Sequence, residues 1–213
     1  MRARSECKKG ACGVNPLRSL PGRPAHPFFE DAYELQLEMV RPTTARVHVP
    51  PVPEGYLLRQ FRAGDEKPYD DLFHLAWAEE DRFPEMLERV LSDGFFVVEH
   101  LASGELVASC QAWCGSSSSR HPDAGQIGWL VTDPSHAGKG LGTIVAALAT
   151  NRLAAEGYRR PYLGTEDFRI AAISIYLKLG WQPYIYCDEI ESRWRSIFAS
   201  LGREFDPSGA CWE

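Results

Sequence analysis

Hydrophobic and polar positions alternate along Tyr33–Val40, with Tyr33, Leu35, Leu37 and Met39 on one side, and that two-residue period predicts a strand. Four prolines between Pro42 and Pro53 make the next stretch a connector. Tyr56–Phe61 reads as a strand and Ala63-Gly64-Asp65 as a turn, with Asp65 as a helix N-cap. A helix is predicted through Tyr69–Trp77 and a second over Glu85–Leu91, stopped by Asp93-Gly94. Phe95–Glu99 is a β-forming run that Ser103-Gly104 turns back into Leu106–Trp113. Residues 115–123 read as a polar loop, followed by a strand at Gln126–Thr132. The period then lengthens and alternates: helix at about 139–156, strand Tyr162–Thr165, helix at about 168–179, strand Gln182–Cys187, helix Glu191–Leu201. Hairpins followed by βαβαβ alternation predict an α/β fold built on a mixed sheet flanked by helices.

Composition narrows the class. The 213 residues, 44% of them hydrophobic, suffice for one domain whose core needs neither disulfides nor metal. No apolar run approaches the ~20 residues of a membrane span, and no repeat is visible. A net charge of −6 argues against nucleic acid as a partner, because phosphate backbones need a basic surface. Charge is uneven, however. Residues 1–30 hold Arg2, Arg4, Lys8, Lys9, Arg18 and Arg23 against two glutamates. We read 1–32 as a disordered basic leader and 33–213 as the domain. The leader lacks the apolar core of a secretory signal, so the reading is cytoplasmic, with six reduced cysteines. Their spacing forms no CxxC pair and no zinc pattern. Cys110 and Cys114 are expected to be small buried hydrophobes.

Candidate chemistry concentrates after the strand at Gln126–Thr132. Pro134 ends that strand by removing an N–H donor. Gly138, Gly140 and Gly142 follow, and Leu141, Ile144, Val145 and Leu148 then fall at i, i+3, i+4, i+7, one apolar face laid on a sheet. Glycines between a strand end and a helix start have a physical consequence. The first N–H groups of the helix lack intrahelical partners, its dipole adds positive charge, and glycine lets the backbone wrap an anion. The pattern predicts a phosphate or pyrophosphate cradle, the alternative being a connector that binds nothing. The G-x-x-x-x-G-K-[ST] string is absent, which removes the P-loop reading. Several strands precede the glycines, which fits the dinucleotide fingerprint poorly.

These residues carry a resemblance. Thr132-Asp-Pro-Ser-His-Ala-Gly-Lys-Gly-Leu-Gly-Thr resembles motif A of the GNAT superfamily of acyl-CoA-dependent N-acyltransferases, Q/R-x-x-G-x-G/A. Downstream, Arg169-Ile-Ala-Ala-Ile-Ser-Ile-Tyr-Leu-Lys-Leu-Gly-Trp-Gln-Pro is similar to the family's N-x-x-A-x-x-L-Y-x-x-x-G-F segment. The likeness spans roughly 56–188, with its motif core at 126–183. Ala137 stands where the family has Gln or Arg, Arg169 where it has Asn, and Trp181 where it has Phe.

The resemblance implies a central mixed sheet with helices on both faces. It also implies transfer of an acetyl group from acetyl-CoA, as co-substrate and without a metal, to a small amine or peptide amine. The alternatives are a catalytically inactive acyl-CoA-binding module and a mycothiol-pathway-like acetyltransferase. The backbone of Leu130, Val131 and Thr132 would hold the pantetheine arm. Ala137, Gly138, Lys139, Gly140, Leu141, Gly142 and Thr143 would hold the pyrophosphate, with Arg169 adding charge. Tyr176 would protonate the departing thiolate, although its helical spacing with Ala172 and Leu179 also suits a core tyrosine. Glu166 is the candidate general base, while Asp167 reads as a cap. Asp70, Asp71, Glu79, Glu80, Asp81 and Glu85 form a solvated helix face or an acidic mouth for a cationic amine. Trp194, Ile197, Phe198 and Leu201 pack a last helix on the sheet, and the chain is read as a monomer or homodimer.

Deleting residues 1–30 is expected to leave cofactor binding and turnover nearly unchanged, because that composition cannot bury enough surface to order itself. A large fall in melting temperature in the truncated protein would refute this.

Overall fold

The computed structural model describes residues 35–77 and 87–212. The basic leader, Tyr33, and the carboxylates Glu79, Glu80, Asp81 and Glu85 lie outside the described residues. Strands β1 (Leu37–Val40), β2 (Tyr56–Gln60), β3 (Val90–His100), β4 (Leu106–Trp113), β5 (Gln126–Thr132), β6 (Tyr162–Thr165), β7 (Gln182–Ile185) and β8 (Cys211–Trp212) form one sheet in the order β2-β3-β4-β5-β6-β1-β7-β8. β2 to β5 are an antiparallel meander, and β5 and β6 run parallel. The N-terminal strand β1 is wedged antiparallel between β6 and β7.

Helices α1 (Glu66–His74), α2 (Leu141–Glu156), α3 (Ile170–Lys178) and α4 (Asp188–Ser200) cover both faces. α2, α3 and α4 share a core with Leu37, Met39, Cys110, Leu163 and Ile185. On the other face α1 packs Tyr69, Leu72 and Phe73 against Phe95, Trp113 and Val131. The predicted stripe on α2 is present, but the helix is buried more widely. Ala146, Ala147 and Ala149 are fully buried as well, small side chains that let a helix sit close to a sheet. Trp194 and Ile197 of α4 are buried as expected. Among the described residues no helix is long and apolar enough to cross a membrane.

Three local expectations need correction. Asp65 stands at the N-cap of α1 but makes no cap bond; its carboxylate accepts from the Arg62 N–H and the Arg59 guanidinium, each at 2.9 Å. A guanidinium and a neighbouring backbone N–H outcompete the helix N–H. Val90 and Leu91, expected to end a helix, belong to β3. Asp93-Gly94 is an irregularity inside that strand, between the pairs Val90↔Trp113 and Phe95↔Gln111, with Asp93 at φ 54°. Turn-forming residues were absorbed as a bulge because the flanking residues had a sheet edge to pair with.

β1 also carries a carboxylate into the middle of the sheet. Glu38 is 1% exposed. Ser118 Oγ donates to it at 2.9 Å, Arg120 NH2 at 2.7 Å, and His121 Nε2 lies 3.0 Å away. The polar loop expected at 115–123 is therefore tied down over β1. The His121 ring lies tilted against Tyr162 and edge-on to Tyr184, with centroids 4.8 and 4.6 Å apart, and Arg120 lies 3.8 Å above the Tyr186 ring. Burial acts to raise the Glu38 pKa, but the bonds from His121, Arg120 and Ser118 together hold it below its ordinary value.

Removing one partner of a buried ion pair leaves the other charge stranded. Glu38→Ala is expected to cost about 3–5 kcal/mol in urea unfolding. The lowered pKa gives the sign with pH: Glu38 contributes stability above the ordinary carboxylate value, and the contribution is lost as pH falls through its folded value. Wild-type stability should thus fall more steeply on acidification than that of the variant; parallel curves would refute the argument.

Candidate functional site

The site begins with two parallel strands that stop pairing. β5 and β6 are paired at Gln126↔Tyr162 alone, with Tyr162 N–H donating to Gly125 O at 2.9 Å. Beyond that point Leu130, Val131 and Thr132 have no ladder partner on the β6 side, although Ala108 and Ser109 of β4 pair with Thr132 and Val131 on the other. β5 is bulged there. Trp129 and Leu130 together oppose Cys110, and Trp129 takes φ 28°, a strained conformation for so bulky a residue.

The bulge sorts side chains onto two faces. Leu130 and Ile127 join the α2/α3 core, whereas Trp129 and Val131 join the α1 core. Trp129 packs against Phe73 and Trp77 at 5.1 and 4.7 Å, and its indole nitrogen is buried without a hydrogen-bond partner. The opening between β5 and β6 therefore has two sides. The α2/α3 side carries the glycine loop, and the α1 side carries an aromatic wall.

On the first side, Asp133 caps a short 3-10 turn (Pro134–His136) by accepting from Ser135 N–H at 2.7 Å, and Ala137 ends it. Gly138 and Gly140 then take φ +77° and +78°, and no heavy atom lies within 4 Å of where either Cβ would stand. These two glycines are there for backbone conformation, and the loop faces open space. Gly142 differs: a Cβ there would meet Thr132 Oγ1 at 3.0 Å and Ile175 Cδ1 at 3.2 Å. It lets the start of α2 close onto β5 and α3. The N–H groups of Leu141, Gly142 and Thr143 are the unpaired first donors of α2, beside the loop. Successive N–H groups around positive-φ glycines form a concavity for an anion, so these residues fit a pyrophosphate. Lys139 folds back, its Nζ donating to the Tyr56 hydroxyl at 2.7 Å, and that hydroxyl lies 2.8 Å from His136 Nδ1.

Tyr176 of α3 is 6% exposed and belongs to the α2/α3 core. Burial pushes its phenol well above the usual value, and Cys110, Arg169 and Glu166 are the charged or ionisable groups that act on it. Burial raises the Cys110 thiol too. Cys110 is fully buried, as the sequence implied, and is kept protonated rather than activated as a nucleophile. Cys114 is half-buried. A Ser–His contact does exist, His100 Nδ1 to Ser103 Oγ at 3.0 Å, but it closes the exposed β3–β4 turn.

Glu166 and Arg169 flank the start of α3 as an ion pair. Arg169 lies 4.5 Å over the Trp77 ring, on the α1 side of the opening, and 5.0 Å over Phe168, and these partners lie outside the glycine loop. Asp167 pairs with Arg193 of α4 and caps nothing. On α1, Asp70 and Asp71 are engaged along their own helix by His74 and Lys67. Asp123 is exposed, and His100 lies 4.7 Å from His136. Among the described residues no group of His, Cys, Asp and Glu side chains is arranged to hold a metal ion. Sequence reasoning missed Glu38 and the Trp129 bulge. The period-two pattern that predicted β1 put Glu38 on a solvent side, and no local signal showed that residues 118–121 would cover it.

Comparison with known proteins follows the same outline. The family described as Acetyltransferase (GNAT) family matches residues 57–181. No curated protein matches the chain. A GCN5-related N-acetyltransferase from Sphaerobacter thermophilus superposes with a TM-score of 0.50 at 18% identity, covering 70% of this chain and 48% of that one. A Drosophila protein superposes with a TM-score of 0.52 at 19% identity, covering 70% and 47%. The chain spans about half the length of these two structures, and at such identity they show the fold alone.

Gly140→Ala is expected to cost about 1–2 kcal/mol from its positive φ, with no contact disturbed. Gly142→Val should cost about 1–3 kcal/mol by overpacking against Thr132 and Ile175. Thermal unfolding of both variants checks this, and a neutral Gly140→Ala would contradict the loop conformation.

Proposed function

Because the chain belongs to the GNAT acetyltransferase family, matched over 57–181, we propose that it transfers an acetyl group from acetyl-CoA to a primary amine by direct attack. Acyl transfer in general comes with the family; the acetyl donor, the amine acceptor and the residues in their roles are our reading. The observation that carries it is the opening between β5 and β6, with a glycine cradle on one side and an aromatic wall on the other. Acetyl-CoA would supply the activated thioester. Gly138 to Thr143 would hold its pyrophosphate, and the backbone of Leu130–Thr132, without ladder partners on the β6 side, would hold its arm.

Tyr176 would then donate a proton to the sulfur as charge develops there. A phenol is ordinarily a weaker acid than a thiol, which would make that transfer uphill in water. Burial disfavours both anions and does not reverse that order. The burial that raises Tyr176 also raises the neighbouring Cys110 thiol, so a thiolate formed in the same place would be similarly destabilised. The proton then moves between groups whose acidities have been shifted together. Glu166, the proposed base, has its carboxylate paired with Arg169, so accepting a proton requires that pair to loosen.

CoA at 100 times its dissociation constant would add ~2.7 kcal/mol of stability, a readily measured melting shift. Thiol release from acetyl-CoA across a panel of amines tests the reaction. A shift without thiol release would leave a CoA-binding module, and no shift at millimolar CoA would remove the cofactor assignment. Tyr176→Phe is expected to lower kcat by about 10²–10⁴-fold with CoA affinity unchanged, since the donor acts mainly in the transition state. Turnover within twofold of wild type would return Tyr176 to the core.

A further inference from the structure

The N-terminal end of the domain is fastened at the mouth of the opening. β1 enters the sheet from the end where β5 and β6 have separated, because Leu37 stands opposite Thr165, the last residue of β6. Just before it, Arg193 of α4 donates from one terminal nitrogen to the Leu35 carbonyl and from Nε to Asp167 at 3.1 Å. One guanidinium thus ties the start of the domain to the segment that carries Glu166. The Tyr186 hydroxyl donates to the Gln36 carbonyl at 2.8 Å. Asp188 and Glu189 are exposed in the first turn of α4, and the Glu189 charge acts on Arg193. Residues 1–34 precede this tie and hold Arg2, Arg4, Lys8, Lys9, Arg18 and Arg23. The remaining lysines are placed differently. Lys67 is paired with Asp71, and Lys139 donates to the Tyr56 hydroxyl. Lys178 is exposed in the last turn of α3, which leads into β7 opposite Val40, at the other end of β1.

We infer that the chain acetylates itself, with Lys8 or Lys9 as the amine and the opening of the same molecule as the place of transfer. This rests on the acetyl-transfer reading above, and the experiment separates the two. Lys9 stands about 26 residues before Leu35, and a chain of that length extends to roughly 85 Å, more than the width of a domain of this size. A tether fixed at the mouth holds the amine at an effective concentration on the order of millimolar. The carboxylates of Asp188 and Glu189 attract the cations of the segment. Lys8 and Lys9 are adjacent, and like charges disfavour each other, so either is more readily neutral than an isolated lysine. The neutral Nζ forms a C–N bond to the thioester carbonyl carbon. The C–S bond breaks with its electron pair on sulfur, and the amine gives up a proton that ends on the sulfur. The products are Nε-acetyllysine and the CoA thiol, and each transfer removes one positive charge from the segment.

The full chain is incubated with acetyl-CoA and no added amine, and acetylated lysines are mapped by mass spectrometry of proteolytic peptides. Lys8 and Lys9 are expected to be labelled about tenfold or more faster than Lys178, at a rate per molecule that does not change when the protein is diluted about tenfold. The same chain unfolded in urea reports direct chemical acetylation and should lose the preference. Lys8→Arg together with Lys9→Arg keeps the charge; this variant should lose the thiol release seen without amine and keep the release seen with an accepted amine of the panel above. Equal labelling of Lys8, Lys9 and Lys178, or a preference that survives in urea, would overturn the inference. So would a rate per molecule that falls on dilution, the mark of transfer between molecules. Thiol release with a panel amine but no labelled lysine would overturn self-acetylation and leave the acetyl-transfer reading standing. No thiol release with any amine and no labelled lysine would overturn that reading and the inference with it.

Discussion

Backbone N–H and C=O groups in a sheet seek partners, so two parallel strands that separate after one pair must be held apart by something. Most of this molecule does that holding. The bulge at Trp129 and Leu130 turns β5 away from β6. Gly142 lets α2 press against Thr132 and Ile175, which fixes the far end of β5. On the other face Trp129 is clamped among Phe73, Trp77 and Trp113. The strained φ of Trp129 and its unpartnered indole nitrogen are costs that such packing can carry, and they fall at the one place where the sheet opens. The glycine loop and the aromatic wall then lie on opposite sides of the opening.

The second constraint is the carboxylate that β1 brings to the centre of the sheet. A buried ion pair contributes little net stability over an apolar packing of the same volume, but it tolerates few alternatives. Glu38 collects Ser118, Arg120 and His121 from a loop that has little apolar anchorage of its own. The loop thereby gains a fixed position against Tyr162.

Much of this was legible in the sequence, and the reasons differ by element. β5 and β6 were readable because each is a short apolar run between turn signals, and the glycine loop because its chemistry is local. α1 was placed in part, but its cap was misread: a cap residue is recognised by position, while Asp65 is claimed by two arginines, one from the preceding strand. The end of the expected helix at Leu91 failed because a helix–turn pattern and a bulged strand share the same residues. Tyr176 was identifiable only through a family resemblance, and Glu38 not at all, since its neighbours lie some 80 residues away along the chain. The family match begins at residue 57 and so does not reach β1 either, although β1 sits inside the sheet.

That last placement has a consequence for how the chain acquires its structure. β1 emerges early in synthesis, yet its partners are residues 162–165 and 182–184. Until β6 and β7 have been made, an apolar strand with a charged residue in its middle has no ladder to join. The meander β2 to β5 is built from neighbours in sequence and can form ahead of it, while the slot between β6 and β7 closes last. Contacts this distant slow folding, and a waiting strand is open to pairing with another chain. Recovery of folded protein should therefore depend more on concentration and temperature during refolding than the stability of the finished sheet would suggest, and β1 is the strand that most needs shielding until β6 and β7 are in place.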